Sequence, residues 1–186
     1  MKQVLFIQGG GEGAYEEDAE LAASLQDALG TEYDVLYPRM PNEESPEYQA
    51  WKDQISKEQA RLTGEAIVVG HSVGGFVLLK YLSEEQLEKP VAGIFLIGTP
   101  YVGDGGWQFD EDALNEDFAA RLPKASSIFF YHSRDDEVVP FAHLALYAKK
   151  LPQATIRKFD GRGHQFNDDL SEVAADITGL QGLHSS

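Results

Sequence analysis

Ser72 lies in a stretch whose residue types and spacing fit a nucleophilic serine. Residues 70–74 read GHSVG, which matches the pattern G-x-S-x-G. The unbroken apolar run before it, 66–69, predicts a buried strand, and the longer apolar run after it, 76–82, predicts a buried helix. A sharp turn between them would expose the Ser72 hydroxyl, and glycines at 70 and 74 leave room for that turn. We therefore expect Ser72 to attack an electrophilic carbon.

A serine hydroxyl is a poor nucleophile at neutral pH and needs a base to take its proton. His164 is the best candidate among the five histidines, because it lies in a glycine-rich loop, 161–166, after the last predicted strand. The weaker candidates lie inside the turn, at a strand end, in a helix and in the C-terminal tail: His71, His132, His143 and His184. We expect His71 to be a packing residue.

A catalytic imidazole needs a carboxylate that fixes its tautomer and stabilises its cation. The loop 133–140 follows the preceding strand and offers three acids, Asp135, Asp136 and Glu137. The alternative is an acidic turn that caps the helix beginning at Pro140. The residues alone leave the choice among the three acids open.

A tetrahedral intermediate needs two hydrogen-bond donors for its oxyanion. The backbone N–H of Val73 is one candidate, because it would lie at the positive end of the predicted helix. The second donor should come from the glycine-rich loop after the first strand, where Gly10 is the natural choice. The alternative interpretation of residues 9–11 is a tight turn, and the two are compatible.

The elements that must position these residues alternate between strand and helix. The predicted strands are 4–7, 33–37, 66–69, 91–97, 127–131 and 155–159, the last of them an edge strand. One helix is predicted to end near Leu29, a second near Leu62, and a third follows Ser72. A short amphipathic helix is expected to bury Leu114, Phe118 and Leu122. Two further helices are predicted over 140–151 and 170–178, and the first of these is expected to bury Leu144, Ala145, Ala148 and Leu151. Ser45 is predicted to cap the second helix with Pro46 in its first turn. Glu16, Glu17 and Asp18 are expected to favour the positive end of the first helix.

This alternation predicts an α/β fold, a three-layer sandwich with a mostly parallel sheet of about six strands. In such a sheet chemistry gathers at the carboxyl ends of the strands, where all the candidate residues lie. We expect one domain over residues 1–178 and a loose tail over 179–186.

Composition restricts the partners and the compartment. The chain has 186 residues, with 15 Lys and Arg against 31 Asp and Glu, so its formal net charge is −16. That charge disfavours nucleic acid and anionic membranes as partners. Because there are no cysteines, disulfides, thiolate metal sites and a cysteine nucleophile are excluded. With no signal-peptide or membrane-spanning pattern, we expect a cytoplasmic protein of undetermined oligomeric state.

These motifs resemble those of the α/β-hydrolase superfamily over residues 3–178. The stretch 70–75 is similar to the family's nucleophile turn, and 8–11 to its His-Gly-Gly oxyanion loop, with Gln8 where many members have histidine. In the family's acid loop the acid commonly stands four residues before a proline, which implies Asp136, and 163–164 matches its glycine–histidine loop. The small size, without a cap domain, is most similar to hydrolases related to retinoblastoma-binding protein 9.

The resemblance implies a serine hydrolase that cleaves carboxylic esters, with thioesters and activated amides as alternatives. Ser72, Asp136 and His164 would form the triad, with no metal or organic cofactor and a small acyl compound as the substrate. The aromatic residues Tyr101, Trp107 and Phe109 are expected to line an acyl pocket or, alternatively, to anchor the loop 101–109.

Two other functions compete with hydrolysis. A catalytically silent interaction module could use the same scaffold. A dinucleotide site would explain residues 9–14, which fit G-x-G-x-x-A between a strand and a helix. Glu16 and Glu17 would repel a pyrophosphate there, which makes the dinucleotide interpretation the weaker of the two.

Overall fold

The computed structural model describes residues 1–109, 113–124 and 126–180. All six strands are parallel and lie in the order β2-β1-β3-β4-β5-β6. The strands are β1 (Lys2–Ile7), β2 (Tyr33–Leu36), β3 (Ala66–His71), β4 (Val91–Ile97), β5 (Ser127–Ser133) and β6 (Thr155–Phe159). The helices are α1 (Ala14–Leu29), α2 (Tyr48–Arg61), α3 (Val73–Glu84), α4 (Phe118–Arg121), α5 (Ala142–Lys150) and α6 (Ser171–Thr178). The predicted fold class is confirmed, and β6 is the expected edge strand.

Alternate residues of the strands point into two separate hydrophobic cores. In β1, Val4 and Phe6 pack in a core with residues of α1 and α6, whereas Leu5 and Ile7 pack in a core with residues of α2, α3 and α5. Strands buried on both faces explain the continuous apolar runs. The central β3 is buried along its whole length, which provides a rigid base for the turn that follows it.

The start of α2 was predicted wrongly. The helix begins at Tyr48, and its N-terminal flanking residue is Glu47, in an extended conformation without a side-chain capping bond. Pro46 lies in the preceding loop instead, where it packs so close to Gly10 that a Cβ at Gly10 would lie 2.8 Å from its ring. Tertiary packing of this proline therefore overrides its preference for the first helical turn.

Two helical faces also differ from the prediction. Leu114, Phe118 and Leu122 are buried as expected, but α4 covers only 118–121, because the Leu114 N–H bonds to the carbonyl of Val102. In α5 the buried residues are His143, Leu144 and Tyr147, whereas Ala145 is exposed. Larger side chains fill this part of the core, and the small alanine is left outside.

Most of the predicted C-terminal tail lies outside the described residues. Leu180, which follows α6, is buried in the core that contains α1 and α6. The prediction of one domain with a loose tail over 179–186 stays a prediction. Within the described part of the chain, no helix is long and apolar enough to cross a membrane.

Candidate active site

Ser72 lies at the sharp turn between β3 and α3 in a strained backbone conformation. Its φ of 56° and ψ of −128° are rarely adopted by a residue with a side chain and cost about 1–3 kcal/mol. A Cβ at Gly70 would lie 2.5 Å from the Cα of Gly75, and one at Gly74 would overlap the carbonyl oxygen of Gln8. Glycine at these positions therefore lets strand, helix and the end of β1 approach closely enough to hold the turn.

Asp136 and His164 form a hydrogen-bonded pair at the same edge of the sheet. His164 Nδ1 lies 2.8 Å from Asp136 Oδ2, and the carboxylate is buried. Its other oxygen accepts bonds from the backbone N–H groups of Val138 and Val139, at 2.9 and 2.8 Å. A carboxylate with donors on both oxygens is fixed in orientation, and it holds Nδ1 of the imidazole as the protonated nitrogen.

A second imidazole, that of His132, supports Asp136, and no local pattern in the sequence indicates this contact. His132 Nε2 lies 2.9 Å from the carbonyl oxygen of Val139 and 3.3 Å from Asp136 Oδ2. Because a carbonyl only accepts, this nitrogen carries the proton. Burial by itself would raise the pKa of Asp136, but the bonds from His132 and His164 outweigh it and hold that pKa well below its usual range.

The two acids beside Asp136 hold the loop that carries His164. Asp135 Oδ1 accepts bonds from the Gly163 N–H at 3.0 Å and from the hydroxyl of Ser133. Glu137 Oε2 accepts a bond from the His164 N–H at 3.2 Å. Of the three acids that the sequence left open, Asp136 is therefore the one whose carboxylate contacts the His164 ring.

Ser72, which follows β3, and His164, in the loop after β6, both lie beside the end of β4, but no hydrogen bond joins them. The Ser72 N–H bonds to Ile97 O at 2.9 Å, and a Cβ on the next residue, Gly98, would lie 3.2 Å from His164 Nδ1. Among the residues that the structure describes, the Ser72 hydroxyl has no hydrogen-bond partner within 3.5 Å. In enzyme sites without substrate such bonds are often long, and they tighten when substrate binds.

Gly10 and Val73, whose backbone N–H groups are the candidate oxyanion donors, are neighbours in the structure. A Cβ at Gly10 would lie 3.6 Å from the Cβ of Val73, so the loop after β1 and the first residue of α3 are neighbours. Val73 has no intrahelical acceptor for its N–H. Within residues 1–109, 113–124 and 126–180, neither N–H has a hydrogen-bond acceptor. Both are available to a ligand atom.

Gln8 holds the loop after β1. The side chain is fully buried. Its Oε1 accepts the Met40 N–H at 2.8 Å, and its Nε2 donates to Glu43 Oε2 at 2.9 Å. Gln8 thus links the loop to the segment before α2, and its side chain makes no hydrogen bond to Gly10.

An apolar cavity of about 360 Å³ adjoins Val73. It is lined mainly by apolar residues, among them Pro46, Val73, Phe76, Trp107 and Phe109. Tyr101, which was expected to line the pocket, is buried instead, with its ring edge-on to Tyr147 at 5.1 Å. Tyr101 therefore anchors the loop, whereas Trp107 and Phe109 lie on the cavity wall.

A larger cavity, of about 590 Å³, lies at the other end of the strands, where they begin. Its lining includes Lys2, Tyr33 and Ala92, which lie at or near the starts of their strands. In parallel sheets ligands bind at the carboxyl ends of strands, so the smaller cavity is the better candidate for a substrate.

A second aspartate–histidine pair lies beneath the site and was missed by the sequence reasoning. His71 Nδ1 lies 2.9 Å from Asp18 Oδ2, and both side chains are buried. The same carboxylate oxygen accepts the Gly9 N–H at 2.7 Å. This acceptor occupies the loop that a pyrophosphate would need, which argues against the dinucleotide interpretation. Asp18 had been assigned only to the helix dipole, and a contact across 53 positions leaves no local signal.

Comparison with protein families gives one match that spans most of the chain. The model of the family described as serine hydrolase matches residues 21–170. The Bacillus subtilis protein YdeN, described as a hydrolase, is 30% identical over 151 residues, covering 76% of this chain and 74% of that protein.

Solved structures share the fold. The crystal structure of the B. subtilis ydeN gene product has a TM-score of 0.78 at 25% identity, covering 98% of this chain and 100% of that one. A meta-cleavage product hydrolase of Pseudomonas fluorescens has a TM-score of 0.75 at 16% identity, covering 98% and 91%. The Est1E protein of Butyrivibrio proteoclasticus, solved with ferulic acid, has a TM-score of 0.69 at 15% identity, covering 97% and 88%.

Proposed function

The chain belongs to the serine hydrolase family and has the α/β-hydrolase fold, and from that premise we propose that it cleaves carboxylic esters through an acyl-enzyme on Ser72. The observation that carries the proposal is the Asp136–His164 hydrogen bond of 2.8 Å at the edge of the sheet that holds the strained Ser72. The carboxylate fixes Nδ1–H, so that Nε2 is the basic nitrogen. Thioesters and activated amides would follow the same chemistry.

In the acylation step, Ser72 Oγ forms a bond to the carbonyl carbon while His164 Nε2 takes the hydroxyl proton. The resulting imidazolium is stabilised by Asp136, whose low pKa keeps it ionised. When the tetrahedral intermediate collapses, the bond to the leaving oxygen breaks and Nε2 returns the proton to that oxygen. The alcohol leaves, and the acyl group stays on Ser72.

Deacylation repeats these steps with water as the nucleophile. Water loses a proton to His164 Nε2 as its oxygen bonds to the acyl carbon. The bond between the acyl carbon and Ser72 Oγ then breaks, Oγ regains the proton from His164 Nε2, and the carboxylic acid is released. Both steps pass through an oxyanion, for which the N–H groups of Gly10 and Val73 are the proposed donors. Removing one such donor in other hydrolases costs about 3–4 kcal/mol.

We assign the acyl group of the substrate to the cavity beside Val73. Its apolar walls and its volume of about 360 Å³ suit an uncharged alkyl or aryl group. The net charge of −16 would disfavour polyanionic substrates. The same charge disfavours nucleic acids and anionic membranes as partners, and this remains a prediction. A cytoplasmic location and a likeness to hydrolases related to retinoblastoma-binding protein 9 remain predictions.

A fluorophosphonate probe tests the proposal directly, because it phosphonylates only an activated serine. We expect the wild-type protein to be labelled and Ser72→Ala to stay unlabelled, with hydrolysis of p-nitrophenyl esters lost in parallel. A series of esters from acetate to palmitate would then give the preferred acyl length. Equal labelling of the two proteins would contradict the role of Ser72.

A catalytically silent module on the same scaffold is the second candidate. The observation that favours it is the lack of a hydrogen bond between Ser72 and His164. The same experiment separates the two functions, because a silent module would be unlabelled in its wild-type form and would hydrolyse none of the esters.

A further inference from the structure

The Asp18–His71 pair connects three segments that surround the site. Asp18 Oδ2 accepts the Gly9 N–H at 2.7 Å, and Asp18 Oδ1 accepts Gln165 Nε2 at 2.8 Å. His71 Nε2 lies 2.9 Å from the carbonyl oxygen of His164. The oxyanion loop, the serine turn and the loop of the proposed base are thus held by one buried pair.

The partners fix the protonation state of His71. The carbonyl oxygen of His164 only accepts, so Nε2 must carry a proton. The Asp18 carboxylate already accepts two other hydrogen bonds, which favours its ionised form, and Nδ1 at 2.9 Å is then a donor too. An imidazole that donates from both nitrogens is an imidazolium. His71 therefore has no free nitrogen with which to act as a base.

We propose that His71, held as an imidazolium by Asp18, is a positioning residue that fixes the main chain at His164 and thereby the place of the catalytic imidazole. The inference rests on the proposed function of His164. The rings of His71 and His164 lie 4.7 Å apart, centre to centre, so His71 lies directly against the histidine that it positions. A displacement of a catalytic group by about 1 Å can lower a rate about 100-fold.

The proposal implies that the stabilisation provided by the Asp18–His71 pair depends on pH. Three ionisable groups face the pair: Asp136 and His164 from the loops above it, and Tyr37 beside Asp18. Burial alone would lower the pKa of His71, but the charge and hydrogen bond of Asp18 raise it above the ordinary value. The stabilisation is therefore complete below the unfolded pKa of about 6.5 and is lost as pH rises through the higher folded value.

When the imidazolium loses one proton, we expect Nδ1 to keep its hydrogen, because the carboxylate is the stronger acceptor. The bond from Nε2 to His164 O would then be lost. Asp18→Asn removes the negative charge that raises the pKa of His71, while the amide oxygen can still accept from Gly9 N–H and Nδ1. The alkaline decrease of kcat should therefore begin at a lower pH in Asp18→Asn than in the wild type.

Two matched substitutions at position 71 test the link to His164. Gln keeps a donor near the Nε2 position, whereas Asn has its amide near the Nδ1 position and cannot reach His164 O. We expect kcat for a p-nitrophenyl ester to fall about 10–100-fold in His71→Asn and less than about 10-fold in His71→Gln. KM should change little in both, because the cavity is untouched.

NMR of the same proteins provides a readout that does not depend on turnover. The imidazole ¹⁵N shifts of His71 should show a predominantly doubly protonated ring at about pH 6.5, where an ordinary histidine is about half protonated. The Gln165 amide shift should move in His71→Asn and much less in His71→Gln. A neutral His71 at this pH, or equal kcat and equal Gln165 shifts in the two variants, would overturn the inference. If wild type hydrolyses nothing, the function fails, and the NMR results still decide whether His71 positions the loop.

Discussion

Two aspartate–histidine pairs lie side by side in this protein, with their imidazole rings 4.7 Å apart, centre to centre. In Asp136–His164 one ring nitrogen bonds to the carboxylate at 2.8 Å, and Nε2 has no hydrogen-bond partner in the described part of the chain. In Asp18–His71 both ring nitrogens are bonded, to a carboxylate and to a carbonyl. The residue types are the same, but only the first imidazole can accept a proton.

The comparison shows that a ring nitrogen without a hydrogen-bond partner, and not the pairing with a carboxylate, distinguishes a potential base from a structural histidine. The positions of the two histidines in the fold explain this difference. His164 is held through its backbone and through Asp136, which leaves one edge of the ring toward the site. His71 lies inside the turn, where packed backbone surrounds it. Each prediction below tests whether the two pairs differ as described.

The largest effect should come from removing the free nitrogen. We expect His164→Ala to lower kcat/KM for p-nitrophenyl esters by at least about 10⁴-fold, as with triad residues in other hydrolases. His143→Gln serves as a matched control, because His143 lies outside both pairs, where its Nδ1 accepts the Tyr101 N–H at 2.8 Å and its ring packs edge-on to Trp107. Comparable losses in the two variants would show that His164 has no special role.

The next effect concerns the carboxylate of the first pair. Asp136→Asn should lower kcat about 10³–10⁴-fold, because the amide no longer stabilises the imidazolium or fixes its tautomer. Asp135→Asn should retain far more activity, since Asp135 bonds only to the Gly163 N–H and Ser133 in this loop. The reverse order would place the acid one residue earlier in the chain.

A smaller effect is expected at the cavity, which adjoins the first pair and not the second. Trp107→Ala should raise KM for long-chain or aryl esters about 10-fold by removing apolar contact area, with little change for acetate. Tyr101→Phe is the control, because the Tyr101 ring packs on Tyr147 and does not line the cavity. Steady-state kinetics over the ester series would measure both.

The smallest effect should be on acid stability. The depressed pKa of Asp136 means that its stabilisation is complete above the unfolded pKa of about 3.9 and is lost as pH falls toward the folded value. The melting temperature of the wild type should therefore fall between about pH 5 and pH 3 more steeply than that of Asp136→Asn. Parallel curves from thermal scans would contradict the assignment.

Local patterns in the sequence predicted the strands and His164, because each belongs to a short motif, whereas the choice of Asp136 among three acids came from the family resemblance. The run 91–97 and the run 155–159 are strands with the predicted bounds. The proximity of Asp136 and His164 followed from the rule that the carboxyl ends of parallel strands meet at one edge. The catalytic roles of these residues remain predictions until the activity is measured.

The second pair could not be predicted, because Asp18 and His71 meet only through packing of α1 against the end of β3. Asp18 resembled an ordinary acid at a helix start. The Tyr101 side chain likewise had two possible environments, the cavity and the core, and its loop composition did not decide between them. In both cases the outcome depends on three-dimensional packing that leaves no periodic signal.

The contact between Gly74 and the carbonyl of Gln8 has a consequence for protein engineering. Any side chain at position 74 would push the nucleophile helix off the first strand, so a mutant library that randomises this crossing should yield few folded clones. Trp107 and Phe109 line the cavity from the loop 101–109 and do not touch this crossing. Gly106 in that loop is itself crowded, because a Cβ there would overlap the carbonyl oxygen of Tyr101. Selection for new substrates should therefore alter Trp107 and its neighbours and leave the glycines of the turn as they are.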